Sequence, residues 1–204
     1  MAEYKLTYFI GRGLGEVSRW IMHFGNIPFT DERVEEVDWP ERKKHTPAGK
    51  LPVLEVEGKM LNQSLAIGRF LASKVGLVPQ DPLHAAFCDA VAETMKELAV
   101  DIFDVKNAEG KSKEENMRTY KEDFVPSKLM PMMERMNKRF DGNEWFISCK
   151  LTWGDMAIAL TMEPLFAELP ELAAKFPKLK AHSDKMVNLP GIKEYLKKRP
   201  ETSY

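Results

Sequence analysis

Strand-like alternation stops at Leu61, and that limit constrains the fold of this 204-residue chain more than any other feature. Before it, Tyr4-Lys5-Leu6-Thr7-Tyr8-Phe9 alternates on a period of two and is rich in aromatic and β-compatible residues, which marks a strand. Gly11-Arg12-Gly13 breaks that run. Val17, Trp20, Ile21 and Phe24 then recur at helical spacing until Gly25-Asn26 supplies a stop. Phe29 to Glu35 reads as a second, more exposed strand. Pro52-Val53-Leu54-Glu55-Val56, Glu57-Gly58 and Lys59-Met60-Leu61 read as a tight hairpin. Ser64 opens another helical pattern through Leu65, Phe70, Leu71 and Val75, which Gly76 closes. The order is β-α-β, a connection, then β-β-α.

Pro79, Asp81 and Pro82 mark a linker, and beyond it no strand is expected. Ala85 to about Val105 is a long helical pattern ending near Asn107-Ala108-Glu109-Gly110. Ser112-Lys113-Glu114-Glu115 has the form of a capping box, with the helix it opens running toward Phe140 and bent or interrupted at Pro126 and Pro131. Asp141-Gly142-Asn143 ends that helix. Thr152-Trp153-Gly154-Asp155 repeats the cap chemistry before Met156 to Leu169, and Pro170, Pro177 and Pro190 punctuate short helices after it. The expected organisation is a small α/β domain over residues 1–76, a linker over 77–82 and an all-helical domain over 83–204.

Thirty Lys and Arg against 31 Asp and Glu leave a net charge of −1, which removes the basic footprint of a nucleic-acid binder. A composition of 44% hydrophobic and 30% charged residues is that of a folded globular chain rather than a disordered one. A chain this long buries about 70% of its unfolded surface, enough for a core without covalent staples. No run approaches the ~20 apolar residues of a membrane span. Met1-Ala2-Glu3-Tyr4-Lys5 lacks the basic-then-apolar pattern of a signal peptide, and Cys88 and Cys149 fit free thiols, so a cytoplasmic location is expected.

His23, His45, His84 and His182 have no His or Cys at a ligand spacing, so no metal site is expected. Gly11-Arg12-Gly13-Leu14-Gly15 sits where a dinucleotide loop would, but the third glycine of that fingerprint falls on Glu16, and a tight turn explains these glycines better. The strand order is thioredoxin-like, and redox proteins of that arrangement carry Cys-x-x-Cys after the first strand. Here that place holds Gly11-Arg12-Gly13-Leu14, so any sulfur chemistry must use a thiol from elsewhere. Tyr8, next to last in the first strand, is either an ordinary half-buried strand tyrosine or a side chain projecting into a cleft. Gln63-Ser64 is either simple capping, with serine at the N-cap, or an anion site made of hydroxyl, backbone N–H groups and the positive helix end. Pro52 suits a tight turn, cis or trans, that leaves the Leu51 backbone open to an extended ligand.

Taken together, Tyr4-Lys5-Leu6-Thr7-Tyr8-Phe9 with Arg12-Gly13, Asp38-Trp39-Pro40 with Lys43, Gly49-Lys50-Leu51-Pro52-Val53-Leu54 and Asn62-Gln63-Ser64-Leu65-Ala66-Ile67 resemble the sigma class of cytosolic glutathione transferases. The resemblance runs on through Leu151-Thr152-Trp153-Gly154-Asp155 to Lys198-Arg199-Pro200 and so covers essentially the whole chain. It implies a thioredoxin-like N-terminal domain that binds glutathione as co-substrate, with no permanently bound cofactor, and a helical C-terminal domain that supplies most of the pocket for small hydrophobic electrophiles. It implies that the Tyr8 hydroxyl meets the glutathione sulfur. Leu51 pairs its main chain with the cysteinyl backbone beside Gly49 and Lys50, Gln63 and Ser64 hold the γ-glutamyl carboxylate, and Trp39 and Lys43 meet the glycyl end. It implies a homodimer in which Glu97 reaches the partner subunit's γ-glutamyl ammonium. Phe9, Gly13, Leu14, Ala99 and Phe103 are the expected electrophile lining.

Prostaglandin-isomerising members of the class depart from this chain in three places. They carry an arginine at Leu14, an aspartate cluster for a divalent ion where this chain has Glu93, Lys96 and Glu97, and a pocket tryptophan near Asp104. General conjugation is therefore the expected activity. The alternatives are an isomerase or glutathione peroxidase acting on a lipid product, and a non-enzymatic carrier of the same fold, as among related lens crystallins. Retention of Tyr8, Gln63 and Ser64 argues against the carrier. Two weaker features bear on dimerisation: Arg69 lies among Ile67, Gly68, Phe70 and Leu71, where a cation calls for a partner, and Asp89, Glu93 and Glu97 form one acidic helix face.

Overall fold

Leu6 and Leu54 have no accessible surface, and their pairing sets the first sheet. In the computed structural model, which describes residues 3–140 and 142–202, β1 (Tyr4–Phe9) pairs in parallel with β2 (Thr30–Val34) and antiparallel with β3 (Val53–Val56). β3 pairs antiparallel with β4 (Lys59–Asn62), giving the order β2-β1-β3-β4. Met1 and Ala2 of the signal-peptide expectation, and Asp141 of the expected helix stop, lie outside the described residues. The period of two puts Leu6 and Tyr8 on one face and Lys5 and Thr7 on the other. On that second face Lys5 pairs with Glu55 at 3.1 Å and Thr7 Oγ1 donates to Glu32 at 2.8 Å, so polar strand residues are matched across the ladder. The hairpin turns on Glu57 and Gly58, both at positive φ (51° and 74°), as its two-residue loop requires.

The connection after β2 is itself helical. α2 (Trp39–Arg42) lies there among single 3₁₀ turns over Glu36–Asp38, Lys43–His45 and Pro47–Gly49. Four residues are too few for a hydrophobic period to register, which is why the sequence reads only as a connection. α1 (Glu16–Phe24) and α3 (Ser64–Lys74) pack together through Trp20, Ile21, Ile67 and Leu71, each 1% exposed or less.

After α3 the described chain is helical: α4 (Pro82–Lys106), α5 (Lys113–Thr119), a ten-residue π-helix (Tyr120–Leu129), α6 (Met130–Arg139), α7 (Trp153–Glu168), α8 (Glu171–Lys175), α9 (Pro177–Val187) and α10 (Ile192–Lys198). The Ser112 capping box is formed, with Ser112 N–H donating to Glu115 at 2.8 Å and Glu115 N–H to the Ser112 hydroxyl at 3.2 Å. The two prolines expected to interrupt stand in different elements. Pro126 lies inside the π-helix, where the ordinary ladder is already broken. Pro131 falls at the start of α6, which continues the π-helix directly, so neither proline ends the helical run from Lys113 to Arg139.

The described residues fall into two compact units, one of the chain up to Ala85 together with the chain from Met186 on, the other of Ala86–Lys185. The first unit takes in the C-terminal segment because α10 packs on α1. The Tyr195 hydroxyl donates to Glu16 at 3.0 Å, Arg199 pairs with Glu16 at 2.9 Å, and the His23 and Tyr195 rings stack at 4.3 Å. Gly191 permits the approach, since a Cβ there would stand 2.3 Å from the His23 carbonyl oxygen.

In the second unit the first half of α7 is enclosed on all sides, every residue from Thr152 to Ala159 being buried and most of them apolar. The exception in chemistry is Asp155, with no exposed surface. Its carboxylate accepts from Phe146 N–H at 2.8 Å, Thr152 N–H at 3.0 Å and the Thr152 hydroxyl at 2.7 Å, and meets His182 Nε2 at 3.1 Å. One carboxylate thus closes a helix start, a preceding loop and α9. Among the described residues no helix is long and apolar enough to cross a membrane. Asp155→Ala should cost about 3 kcal/mol, because it strands several buried donors at once, whereas Ser112→Ala at the exposed box should cost about 1. Urea unfolding followed by circular dichroism should show the Asp155→Ala midpoint lower by about 1.5 M with an unchanged m-value.

Candidate active site

Tyr8 stands at the end of β1, and its ring is gripped by backbone. A Cβ on Gly13 would lie 2.5 Å from the Tyr8 hydroxyl oxygen, and one on Gly15 would lie 2.7 Å from Cγ. The 3₁₀ turn Gly13–Gly15 is therefore a slot for the phenol, which explains glycines that in sequence suggest only a turn. The Leu14 N–H between them donates to the Tyr8 oxygen at 3.0 Å. Burial pushes the Tyr8 pKa above its ordinary value, against smaller opposing effects from the Leu14 N–H and the Arg19 guanidinium. The group is thus a protonated phenol throughout the physiological range.

Two segments frame the rest of the site in this unit. Thr46 to Lys50 turns through Ala48 and Gly49 at positive φ (56° and 57°), and the Leu51-Pro52 bond is cis. This leaves Leu51 just outside the ladder that starts at Val53. The Lys43 stem lies over Gly49, with a Cβ there 3.2 Å from Lys43 Cε. Trp39 packs edge-on against Phe9 at 5.4 Å between centroids, and Phe9 in turn edge-on against Tyr8 at 5.7 Å. Trp39 and Leu51 both border a cavity of about 100 Å³ on the Lys5 and Thr7 face of the sheet, the opposite face from Leu6.

At α3 the sequence expectation needs correction. Gln63, not Ser64, is the N-cap; its carbonyl accepts the Ile67 N–H at 3.0 Å, and Ser64 is the first helical residue. The reason is conformational, since Gln63 adopts φ 73°, ψ 113°, outside the helical region. A positive φ at glutamine costs on the order of 1–3 kcal/mol, and such strain gathers at functional sites. Ser64 is buried at 6% exposure, and Gln63 makes no side-chain bond to the helix start, so the side chain is not spent on capping. The N–H groups of the first turn have no partners inside the helix and face the same end as Gln63.

In the other unit Glu97, Ala99 and Phe103 lie on α4, all exposed, with Ala99 and Phe103 one turn apart. Lys96 Nζ lies 3.2 Å from Glu93 Oε1, so a side-chain cation already neutralises this acid. Arg69 and Asp89 each have an interaction of their own, and on the acidic face of α4 Glu93 is paired with Lys96. Arg19, fully buried under Tyr8, was not singled out from sequence. The available signal was an arginine among Trp20, Ile21 and Met22 with an acid three residues before it.

With this geometry in view, the chain was compared with known proteins. Family models described as the glutathione S-transferase N-terminal and C-terminal domains match residues 16–74 and 97–199. The chain belongs to the glutathione S-transferase family. It is similar to hematopoietic prostaglandin D synthase of Gallus gallus, 34% identical over 204 residues, and to glutathione S-transferase 1 of Ascaris suum, 33% identical over 207 residues, in both cases across all of both chains. Among solved structures it is similar to a monomeric glutathione S-transferase from the human hookworm Necator americanus, with a TM-score of 0.88 and 31% identity over 99% of this chain and all of that one. The N-terminal family-model match begins after Tyr8.

The slot can be tested without touching the hydroxyl. Gly15 has ordinary helical angles (φ −82°, ψ −20°), so alanine is allowed by its backbone and meets the Tyr8 side chain first. Gly15→Ala should destabilise the chain by about 1–3 kcal/mol, and most of that cost should vanish in a Tyr8→Ala background. Thermal unfolding of the four proteins of this cycle measures the coupling.

Proposed function

We propose that this chain conjugates the thiolate of glutathione to small hydrophobic electrophiles, with Tyr8 holding the sulfur in its anionic form. One observation carries the reading. The Tyr8 oxygen already accepts the Leu14 N–H at 3.0 Å, so the hydrogen of the phenol is left for an acceptor that arrives from outside. Because burial keeps that phenol protonated, it acts as a donor to the thiolate and not as a base. A thiol of pKa about 8.5 is only about 3% ionised at pH 7, and the thiolate is the nucleophile. Lowering that pKa by about two units takes about 2.7 kcal/mol, of the size a hydrogen bond to an anion supplies in a partly shielded site.

The remaining residues divide the glutathione molecule among themselves. Gln63 and Ser64, with the first N–H groups of α3 and the positive end of that helix, suit the γ-glutamyl carboxylate. The Leu51 main chain, outside the ladder and flanked by Gly49 and Lys50, suits the cysteinyl backbone, and Trp39 and Lys43 the glycyl end. Glu97 of a partner subunit would take the γ-glutamyl ammonium. Glutathione enters as co-substrate, and no cofactor stays bound. Phe9, Gly13 and Leu14, beside Tyr8, give an electrophile apolar surface against which proximity to the sulfur raises the rate. Leu14 offers the site a backbone N–H and no side-chain cation, and the acid at Glu93 is paired with Lys96. Both features favour conjugation over prostaglandin isomerisation.

A two-fold homodimer belongs to the same proposal. It is supported by the resemblance and by Leu83 and Phe87, which stand 61% and 43% exposed one turn apart on α4. Sedimentation equilibrium at low micromolar concentration should return twice the chain mass. A fully active monomer would remove both the dimer and the role of Glu97.

Tyr8→Phe should lower the conjugation rate about 10–150-fold, equivalent to about 1.5–3 kcal/mol, with little change in glutathione affinity. The bound thiol should titrate at higher pH in the variant. The acid limb of its rate profile should move upward by the same amount, so the gap to wild type narrows as pH rises. An unchanged thiol pKa, read from thiolate absorbance, would take Tyr8 out of the mechanism.

A further inference from the structure

Beneath the Tyr8 ring lies a buried charge network that the conjugation chemistry does not itself use. Arg19 has no accessible surface. Its Nε donates to the two Asp31 carboxylate oxygens at 3.0 and 3.2 Å, its Nη1 to the Gly11 carbonyl at 3.0 Å and Glu16 at 3.3 Å, and its Nη2 to the Phe9 carbonyl at 3.5 Å. The guanidinium carbon stands 5.8 Å from the Tyr8 ring centroid, within cation–π range. Arg33 continues the pattern, reaching Asp31 at 2.9 Å and the Ile10 carbonyl at 2.6 Å. Three successive carbonyls between Tyr8 and its glycine slot are therefore held by two arginines.

The far side of the network is closed from the other end of the sequence. Glu16, 3% exposed, accepts from the Tyr195 hydroxyl at 3.0 Å and from Arg199 at 2.9 Å, the latter 183 residues away in the chain. The charged and titratable groups facing Arg19 and Glu16 are Asp31 and Arg33 from β2 and Tyr195 and Arg199 from the C-terminal segment, with His23 of α1 stacked on Tyr195 at 4.3 Å. Burying the charges of Arg19 and Glu16 is an expensive way to attach a helix, since apolar side chains of similar volume do it as well or better. What apolar side chains cannot do is satisfy the carbonyls of Phe9, Ile10 and Gly11, which leave the ladder where β1 ends.

We propose that Arg19 and Glu16, closed by Tyr195 and Arg199, are positioning residues for Tyr8, so that the C-terminal segment helps set how well the phenol meets the sulfur. The proposal rests on the reading of Tyr8 as the thiolate donor. Neither residue touches reacting atoms. Arg19 acts by fixing the backbone that leads to the Leu14 N–H and by placing a cation under the ring, which makes the phenol hydrogen a stronger donor. Glu16 acts by holding Arg19, and Tyr195 and Arg199 by holding Glu16.

The test uses the full chain and four variants: Arg19→Lys, Tyr195→Phe, Arg199→Gln and Tyr8→Phe. Each is measured for kcat, KM for glutathione, the pKa of the bound thiol by thiolate absorbance, and melting temperature. Lysine keeps the charge but cannot serve Asp31, Gly11 and Glu16 at once, so Arg19→Lys should lower kcat up to about tenfold and raise the thiol pKa by about 1, with KM within about twofold of wild type. Tyr195→Phe and Arg199→Gln should move kcat and thiol pKa in the same directions by less, about two- to threefold in kcat. These two carry the test should Arg19→Lys not fold. Variants that melt earlier while keeping wild-type kcat and thiol pKa would make the network purely structural and overturn the proposal. If Tyr8→Phe raises the thiol pKa and the others do not, this inference alone fails. If Tyr8→Phe leaves it unchanged as well, the reading of Tyr8 fails and takes the inference with it.

Discussion

The Tyr8 phenol is held between two glycines at distances that no side chain could share, and much of the first unit follows from that contact. For the slot to exist, β1 must end at Phe9 and the chain must turn through Gly13 and Gly15 before α1 begins. For the turn to be stable, the carbonyls it strands must find donors, and Arg19 and Arg33 supply them. For two arginines to lie beneath a strand end, carboxylates must accompany them, and Asp31 and Glu16 do so from β2 and α1. The oxygen of one tyrosine is thereby oriented by backbone on one side and by a matched charge cluster on the other.

The two units solve a similar problem by different means. The first places Leu6 and Leu54 in register and packs α1 and α3 through Trp20, Ile21, Ile67 and Leu71, with its polar groups matched across the open sheet face. The second runs an apolar helix, α7, through its interior and lets one fully buried carboxylate, Asp155, organise what meets the start of that helix. A buried carboxylate is tolerable only because several donors converge on it. The same argument explains Glu16, which takes the Tyr195 hydroxyl and the Arg199 guanidinium together.

Four described residues of the first unit other than glycine hold a positive φ: Asn26, Ala48, Glu57 and Gln63. Asn26 and Glu57 lie in turns, whereas Ala48 precedes the Leu51-Pro52 bond and Gln63 precedes α3. Gln63 in particular takes the N-cap place without using its side chain there. Proteins of the glutathione S-transferase family use glutathione as co-substrate, and in the proposed function Gln63, Ser64 and the start of α3 hold its γ-glutamyl carboxylate.

The sequence by itself determined the change from mixed to helical structure, the hairpin at Glu57-Gly58, the capping boxes at Ser112 and Thr152, and the family resemblance. Each of these is written in local chemistry: a period of two or of 3.6, a positive-φ dipeptide, a hydroxyl three residues before an acid. Tyr8 and Gln63-Ser64 were legible as candidates because position in an element and residue type already limit what they can do. What only the tertiary structure decided is what meets them. Nothing local says that Gly13 and Gly15 exist to admit a tyrosine ring, that Gln63 rather than Ser64 caps α3, or that Pro126 and Pro131 lie within one unbroken helical run. Nor does any pattern join Glu16 to Arg199, since a contact between residues 183 apart is paid for in chain entropy and specified only by the packing that surrounds it.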